Sequence, residues 1–373
     1  MSPGPQQVVV IPDKIRAVLA AILTADGCAD DEAETVATHL VDASLKGHDS
    51  HGVIRILRYH AWLESGQLVP RQDLKVISDS DSLVHFDGGS GMGQHLTRRA
   101  TQVGIQRAKR HGTAIVALRR AGHIGRLGDY AEQAAEAGIV SLQFCNVAGS
   151  RLVAPFGAAQ RCISTAPIAI GVPLEAGDAF ILDFATSLVA EGKALVAGQG
   201  GNALPGDALV DGEGQLSADP RALYGASLDT TVPDPRDGDG ALRTMGDHKG
   251  SGLALACELL AGALTGNGTN GAQDHPFGNG WFAVFIDPAS MDDLQGFAAE
   301  AAGYIRYVRD ARPAVGTTQV LAPGDTEKAT RLFRLEHGLP LSASVFDAIG
   351  DVASSLSIIF DRTEILHPAN LPS

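Results

Sequence analysis

The residue types best able to do chemistry lie together in Asp49-Ser50-His51-Gly52-Val53-Ile54-Arg55. On a helix, His51 and Arg55 are four apart and project from one face, one turn from each other. An imidazole exchanges a proton near neutral pH, and a guanidinium grips a carboxylate with a planar fork. Ser50 is placed to relay or orient that proton. A hydroxy acid or keto acid presents an oxygen to the histidine and a carboxylate to the arginine, which is the division of labour that hydride transfer asks of a protein. The competing reading is a solvated helix end, and a short motif alone does not choose between the two. A second chemistry uses His48, Asp49, His51 and His123. His48 and His51 fit one helical turn as metal ligands, as in a metal-dependent hydrolase, yet no His-Glu-x-x-His pattern completes the set.

Three later stretches carry further candidates. Arg119-Arg120-Ala121-Gly122-His123-Ile124-Gly125-Arg126 joins a buried strand over 113–118 to a helix over 130–137. Such junctions are where α/β proteins place ligands, so His123 is a site candidate, with a surface loop histidine as the alternative. Asp183 lies in a strand over 180–187, ahead of a helix over 188–196 that carries Glu191-Gly192-Lys193. An acid there can hold ribose hydroxyls or serve as an ordinary N-cap. Gly246-Asp247-His248-Lys249-Gly250-Ser251-Gly252 opens an apolar helix over 253–264. It lacks the Walker spacing, which removes a kinase or ATPase reading, and the glycines of residues 87–93 form no G-x-G-x-x-G.

Two helices over 11–63, with Asp13 and then Asp30 or Asp31 as caps, put His51 at a helix start or a kink, where a helix N-terminus keeps an imidazole neutral. A strand pair over 74–86, a helix over 94–111, strands over 139–146 and 281–286, and helices over 291–309, 326–336 and 342–360 follow. Residues 198–243, rich in glycine, proline and aspartate, read as an insertion-like loop region. Strands alternating with helices over 373 residues, 45% of them hydrophobic and 19% charged, make a sizeable α/β protein. A net charge of -14 argues against nucleic acid and anionic membranes as partners and leaves a small molecule. Cys28, Cys145, Cys162 and Cys257 form no C-x-x-C pair, so neither a zinc site nor a disulfide framework is indicated. That usage, with no signal-peptide pattern and no apolar run of membrane-spanning length, points to the cytoplasm.

Taken in order, several stretches resemble one family: Asp49-Ser50-His51-Gly52 through Arg58-Tyr59, Gly122-His123-Ile124-Gly125, Thr165-Ala166-Pro167, Asp183-Phe184-Ala185-Thr186-Ser187 with Gly192-Lys193, Ala218-Asp219-Pro220, and His248-Lys249-Gly250 with Leu259-Leu260-Ala261-Gly262-Ala263-Leu264-Thr265-Gly266. The family is that of the type-2 malate/L-lactate dehydrogenases, which includes L-sulfolactate and ureidoglycolate dehydrogenases and reductases of diketogulonate and of cyclic imino acids. Each motif is weak alone; the ordered set, spanning residues 15–361, is specific.

The resemblance implies an α/β fold with a non-Rossmann, mixed-sheet NAD(P)-binding domain at 81–309, in keeping with the missing glycine fingerprint. It also implies a helical substrate and dimerisation domain built from both chain ends, 1–80 together with 310–373, and a homodimer. The implied reaction transfers a hydride between NAD or NADP and a 2-hydroxy or 2-keto acid, or a cyclic imino acid. By the same resemblance His51 with Ser50 is the proton-transfer pair, His123 and Lys193 are catalytic, and Arg55 and Thr165 bind the substrate. His123, Ile124, Gly125, Asp183, Phe184, Ala185, His248, Lys249, Pro323, Gly324 and Asp325 line the cofactor. Glu191 stands where the family usually carries arginine, and Ala166 where asparagine is common, which points to an atypical substrate. Gly324-Asp325-Thr326-Glu327 is acidic where a 2'-phosphate would need cations, which favours NADH; Arg119, Arg120 and Arg126 are the cations that would oppose that preference.

Overall fold

The computed structural model of the protein describes residues 7–198, 203–229, 233–271, 276–291 and 296–367. A strand, β1 (Gln7–Val10), precedes α1 (Pro12–Ala25), α2 (Asp30–Leu45) and α3 (Arg55–Glu64). The stretch expected as two helices is therefore three. Between α2 and α3 the chain makes one 3-10 turn, Asp49–His51, and Gly52 is extended at φ -93° and ψ -150°. His51 and Arg55 accordingly share no helix. The capping positions are Ile11 and Ala29, which leaves Asp13, Asp30 and Asp31 as first-turn acids whose charge suits the positive end of each helix.

The chain continues as β2 (Lys75–Asp79), β3 (Leu83–Gly91), α4 (Gly93–His111), β4 (Thr113–Ala121), α5 (Gly128–Glu136), β5 (Val140–Ala148), β6 (Val153–Ala154), β7 (Pro167–Pro173), β8 (Ala179–Ala185) and α6 (Glu191–Gly198). Then come β9 (Leu209–Val210), β10 (Leu216–Ser217), α7 (Arg221–Tyr224), β11 (Ala241–Arg243), α8 (His248–Cys257), β12 (Gly278–Ile286), α9 (Phe297–Arg309), α10 (Asp325–His337), β13 (Leu339–Ser342), α11 (Ala343–Ser355) and α12 (Arg362–Ile365). The region read as an insertion-like loop instead supplies most of a small sheet of order β10-β9-β11-β6. Its residues 199–202 and 230–232 lie outside the described residues, as do 292–295 of the helix expected over 291–309.

Seven strands form the main sheet in the order β2-β3-β4-β12-β5-β7-β8. Only β3 and β4 run parallel; every other neighbouring pair is antiparallel. Alternation along the strands serves two apolar layers, because successive side chains point to opposite faces. Trp281, Ala283, Phe285, Cys145 and Ile181 pack with Leu96, Ala100 and Tyr130 of α4 and α5, whereas Phe144, Ile168 and Phe184 pack with Ala254 and Cys257 of α8. A third cluster joins the two ends of the chain: Leu19, Leu40, Ile56 and Tyr59 meet Leu339, Phe346, Ile349 and Ile365. There β1 pairs with β13. Each large side chain buried this way contributes roughly 1.5 to 3 kcal/mol. Among the described residues no helix is long and apolar enough to cross a membrane.

A buried ionic group ties α2 to α5 beneath the His123 loop. Arg126, 2% exposed, lies 2.6 Å from Asp129 and 2.8 Å from Glu132, and Lys46 lies against Asp42 and Glu132. His39 is 3.1 Å from Asp129 through Nδ1, and its Nε2 accepts the Arg126 backbone N–H at 2.9 Å. Charges this deep persist only when paired. The adjoining Gly125 takes φ +74°, and a Cβ there would lie 2.2 Å from His39 Nε2, so only glycine fits.

Candidate active site

The turn between α2 and α3 builds one wall of the site. Ser50 Oγ is 3.0 Å from His51 Nδ1. Arg55 folds back so that its Nε donates to the Ser50 carbonyl oxygen. This bond, rather than a shared helical face, aims the guanidinium. It leaves the two terminal nitrogens, and no described carboxylate pairs with them.

The loop after β4 builds the opposite wall. It passes under the start of α4 so closely that a Cβ on Gly93 would sit 2.3 Å from the Gly122 carbonyl oxygen. The Ile124 N–H donates to Asn279 Oδ1 at 2.9 Å, and the Tyr130 hydroxyl donates to the Ile124 carbonyl. Held in this way, the His123 ring stacks on His51 with centroids 5.5 Å apart and planes 22° apart. Tyr59 of α3 brings its hydroxyl to 2.6 Å from His123 Nδ1, and Gln94 Nε2 donates to that hydroxyl at 2.6 Å.

Burial first, then the Arg55 charge, pushes the His51 pKa down to about 3. The same two causes hold His123 well below the usual imidazole range. Both rings are neutral at neutral pH. The neutral state expected of His51 is present, but desolvation and a neighbouring cation produce it.

Beyond this pair, the other candidates are held by contacts of their own. Gly192 abuts Ser50, since a Cβ on it would lie 2.8 Å from Ser50 Cβ. Its neighbour Glu191 accepts from the Tyr224 hydroxyl, and its charge reaches Arg58. Lys193 is exposed on α6, and Thr165 spends its carbonyl on the Thr186 N–H and hydroxyl. Neither has a described bond to His51 or His123. Ala166, next to Thr165, takes φ +32°, a backbone region that non-glycine residues seldom enter and in which asparagine, aspartate and histidine are enriched.

Asp183 Oδ2 accepts the Gly128 N–H at 2.8 Å and lies 3.5 Å from Arg126 Nε. It thus closes the start of α5, not of the helix after its own strand, and burial pushes its carboxyl above the usual range. Phe184 packs in the apolar layer under α8, and Ala185 pairs with Pro167 at the end of β8. A Cβ on Gly324, after Pro323, would lie 3.7 Å from Ile181 of β8. Asp325 is held by Arg309 at 2.5 Å and by the Ala322 N–H at 2.8 Å. His48, 3.2 Å from Glu327 of α10, links this segment to the His51 turn. His248 and Lys249 open α8 in exposed positions, and Lys249 has no ion-pair partner among the described residues.

The metal-hydrolase geometry is not formed. His48 is paired with Glu327, Asp49 is bound at 2.6 and 3.0 Å by Arg334, and His51 bonds Ser50. Among the described residues only Asp42, Asp129 and Glu132 gather closely enough to share an ion, and Lys46 and Arg126 already supply positive charge there.

The sequence pattern of the malate/L-lactate dehydrogenase family matches residues 10–350. The L-lactate dehydrogenase of Cupriavidus necator is 35% identical over 343 residues, covering 90% of this chain and 95% of that protein. The malate dehydrogenase structure from Pyrococcus horikoshii superposes with a TM-score of 0.83 at 27% identity, covering 95% of this chain and 97% of the other. The Δ1-piperideine-2-carboxylate reductase structure from Pseudomonas syringae gives 0.79 at 29% identity, covering 92% and 99%.

Proposed function

The chain belongs to the malate/L-lactate dehydrogenase family, and we propose that it interconverts a 2-hydroxy and a 2-keto acid, or reduces a related cyclic imino acid, with His51 as proton donor and acceptor. Membership makes it an NAD(P)-dependent dehydrogenase or reductase acting on small carboxylates. The observation that carries the finer reading is the neutral His51–His123 stack beside an arginine whose terminal nitrogens have no described partner. Arg55 takes the substrate carboxylate in its fork, which fixes the distance from carboxylate to reacting carbon. In reduction protonated His51 gives a proton to the substrate's carbonyl oxygen, or to the nitrogen of an imino acid, and Ser50, bonded to Nδ1, then relays a replacement proton from water; oxidation reverses both transfers. Thr165 and Lys193 are assigned to the substrate side of the same site.

A bound nicotinamide would supply the hydride. The chain fits that group at α8, where a helix start and the unpaired Lys249 ammonium suit a pyrophosphate. The residues that would hold it are His123 to Gly125, Asp183 to Ala185, His248, Lys249 and Pro323 to Asp325. We read the mainly antiparallel sheet from β3 onward as a non-Rossmann cofactor domain, 81–309, and the joined chain ends, 1–80 and 310–373, which also carry the edge strand β2, as the helical substrate and dimerisation domain. The separate apolar cluster of the chain ends supports that division. Exposed Leu332, Phe333 and Leu335 on α10 suit the homodimer that goes with it.

NADH is the preferred cofactor in this account. Arg119 and Arg120 are committed to Asp87 at 3.0 and 2.6 Å, and Arg126 is buried among carboxylates, so none is left for a 2'-phosphate. Purified protein mixed with NADH or NADPH and a panel of 2-keto and cyclic imino acids should consume NADH faster. A kcat/KM tenfold better with NADPH would refute the preference.

Glu191 bears on the substrate's far end. Its neighbour Gly192 abuts Ser50, and the Glu191 carboxylate, which accepts from the Tyr224 hydroxyl, is assigned to repel a second anionic group at that end of the substrate. The account expects Glu191→Gln to raise kcat/KM for a dicarboxylate such as oxaloacetate, relative to pyruvate, by roughly tenfold. An unchanged ratio would place Glu191 outside the substrate pocket.

A further inference from the structure

Gln94, 1% exposed, and Tyr59, fully buried, form a chain onto His123 that the proton transfer assigned to His51 does not require. Gln94 Nε2 donates to the phenol oxygen, which lies 2.6 Å from His123 Nδ1. A phenol has one hydrogen. Its oxygen already accepts from the amide, so that hydrogen goes to Nδ1, and a neutral imidazole that accepts on Nδ1 carries its own proton on Nε2.

The reversed chain is worse. Turning the amide round would let Tyr59 donate to Oε1 and accept from Nδ1–H, at the cost of stripping the buried amide nitrogen of its acceptor. The observed arrangement instead leaves Gln94 Oε1 buried without a partner. An orphaned carbonyl oxygen is the more commonly tolerated of the two defects. Burial also raises the Tyr59 hydroxyl above the usual phenol range, so it remains a donor.

We propose that Gln94 and Tyr59 are positioning residues that fix His123 as its Nε2–H tautomer. His123 then offers a hydrogen-bond donor to the reacting oxygen, while proton exchange stays with His51, stacked 5.5 Å away. A neutral imidazole in this role polarises a carbonyl without losing its proton. The inference rests on reading His51 and His123 as the reacting pair.

The test is NMR of the full-length enzyme labelled with ring-¹⁵N histidine, with the His123 signals assigned by their loss in His123→Gln. In the free wild-type enzyme, His123 should show an unprotonated, hydrogen-bonded Nδ1 and a protonated Nε2. Tyr59→Phe should give mixed tautomers and a kcat lower by about tenfold or more, with KM for the keto acid little changed. Mixed tautomers and a lower kcat at an unchanged KM would not arise from a merely structural defect. A wild-type His123 protonated on Nδ1, or a Tyr59→Phe enzyme with unaltered tautomer and kcat, overturns the proposal. The wild-type spectrum needs neither a folded variant nor turnover. Absence of turnover with every acid would therefore remove the functional reading while leaving the tautomer decided separately.

Discussion

His51→Ala lowers kcat by about 10²- to 10⁴-fold, the usual worth of general acid–base catalysis, and leaves NADH affinity unchanged. Ser50 does not replace it, because an unactivated hydroxyl is too weak a base near neutral pH. His123 does not replace it either: its Nδ1 is occupied by Tyr59, and among the described residues no serine hydroxyl is bonded to it to restore a proton. His51 has a serine hydroxyl 3.0 Å from Nδ1 and sits beside the arginine aimed by the Ser50 carbonyl, whereas His123 spends its Nδ1 on the buried Tyr59 phenol. Should His51→Ala keep most of its kcat while His123→Ala abolishes it, the proton-transfer role passes to His123 and His51 becomes an orienting group.

Arg55→Lys raises the KM of the carboxylate substrate by about 10- to 100-fold, the range expected for losing a charge-assisted bidentate contact of about 1.5 to 3 kcal/mol. A lysine keeps the charge but neither the fork nor the bond that Nε makes to the Ser50 carbonyl, so the cation is no longer aimed. The KM for NADH stays near the wild-type value because Arg55 has no described hydrogen bond or ion pair to a residue assigned to the cofactor. Steady-state kinetics with the two substrates varied in turn makes the distinction, and an unchanged KM for the acid would remove Arg55 from the site.

Much of the fold is legible because its elements carry their own periodicity. β4, β5 and β12 are apolar runs that end in turn residues, and the helix expected over 94–111 is α4 to within a residue. The turn that forms the site is not legible in this way. Gly47, at φ +87° with the His48 N–H returning to the Ala43 carbonyl, is a local signal that ends α2; what sets the turn after it is Ser44, whose hydroxyl accepts the Val53 N–H at 3.1 Å and lies where a side chain on Gly52 would go. A local spacing rule brought His51 and Arg55 together for the wrong reason.

Contacts across long sequence separations escaped as well. Tyr59 is 64 residues from His123, and Gln94 is 35 from Tyr59, so each reads locally as an ordinary helical position. Asp183 looked like a cap for the following helix because its true partner, Gly128, is 55 residues upstream. The small sheet was hidden for another reason: strands of two or three residues are too short to show alternation among glycines and prolines.

The pH dependence of reduction in wild type and His51→Ala tests the central claim most directly. Free His51 has its pKa at about 3, so its acid form declines about tenfold with each pH unit above that value. Reduction needs the acid form and oxidation the base. The account predicts that wild-type kcat/KM for reduction falls steadily from about pH 5 to 8, that oxidation is flat over the same range, and that the falling limb disappears in His51→Ala. A falling limb of the same slope in His51→Ala, at an undiminished rate, would contradict the assignment of the proton to His51.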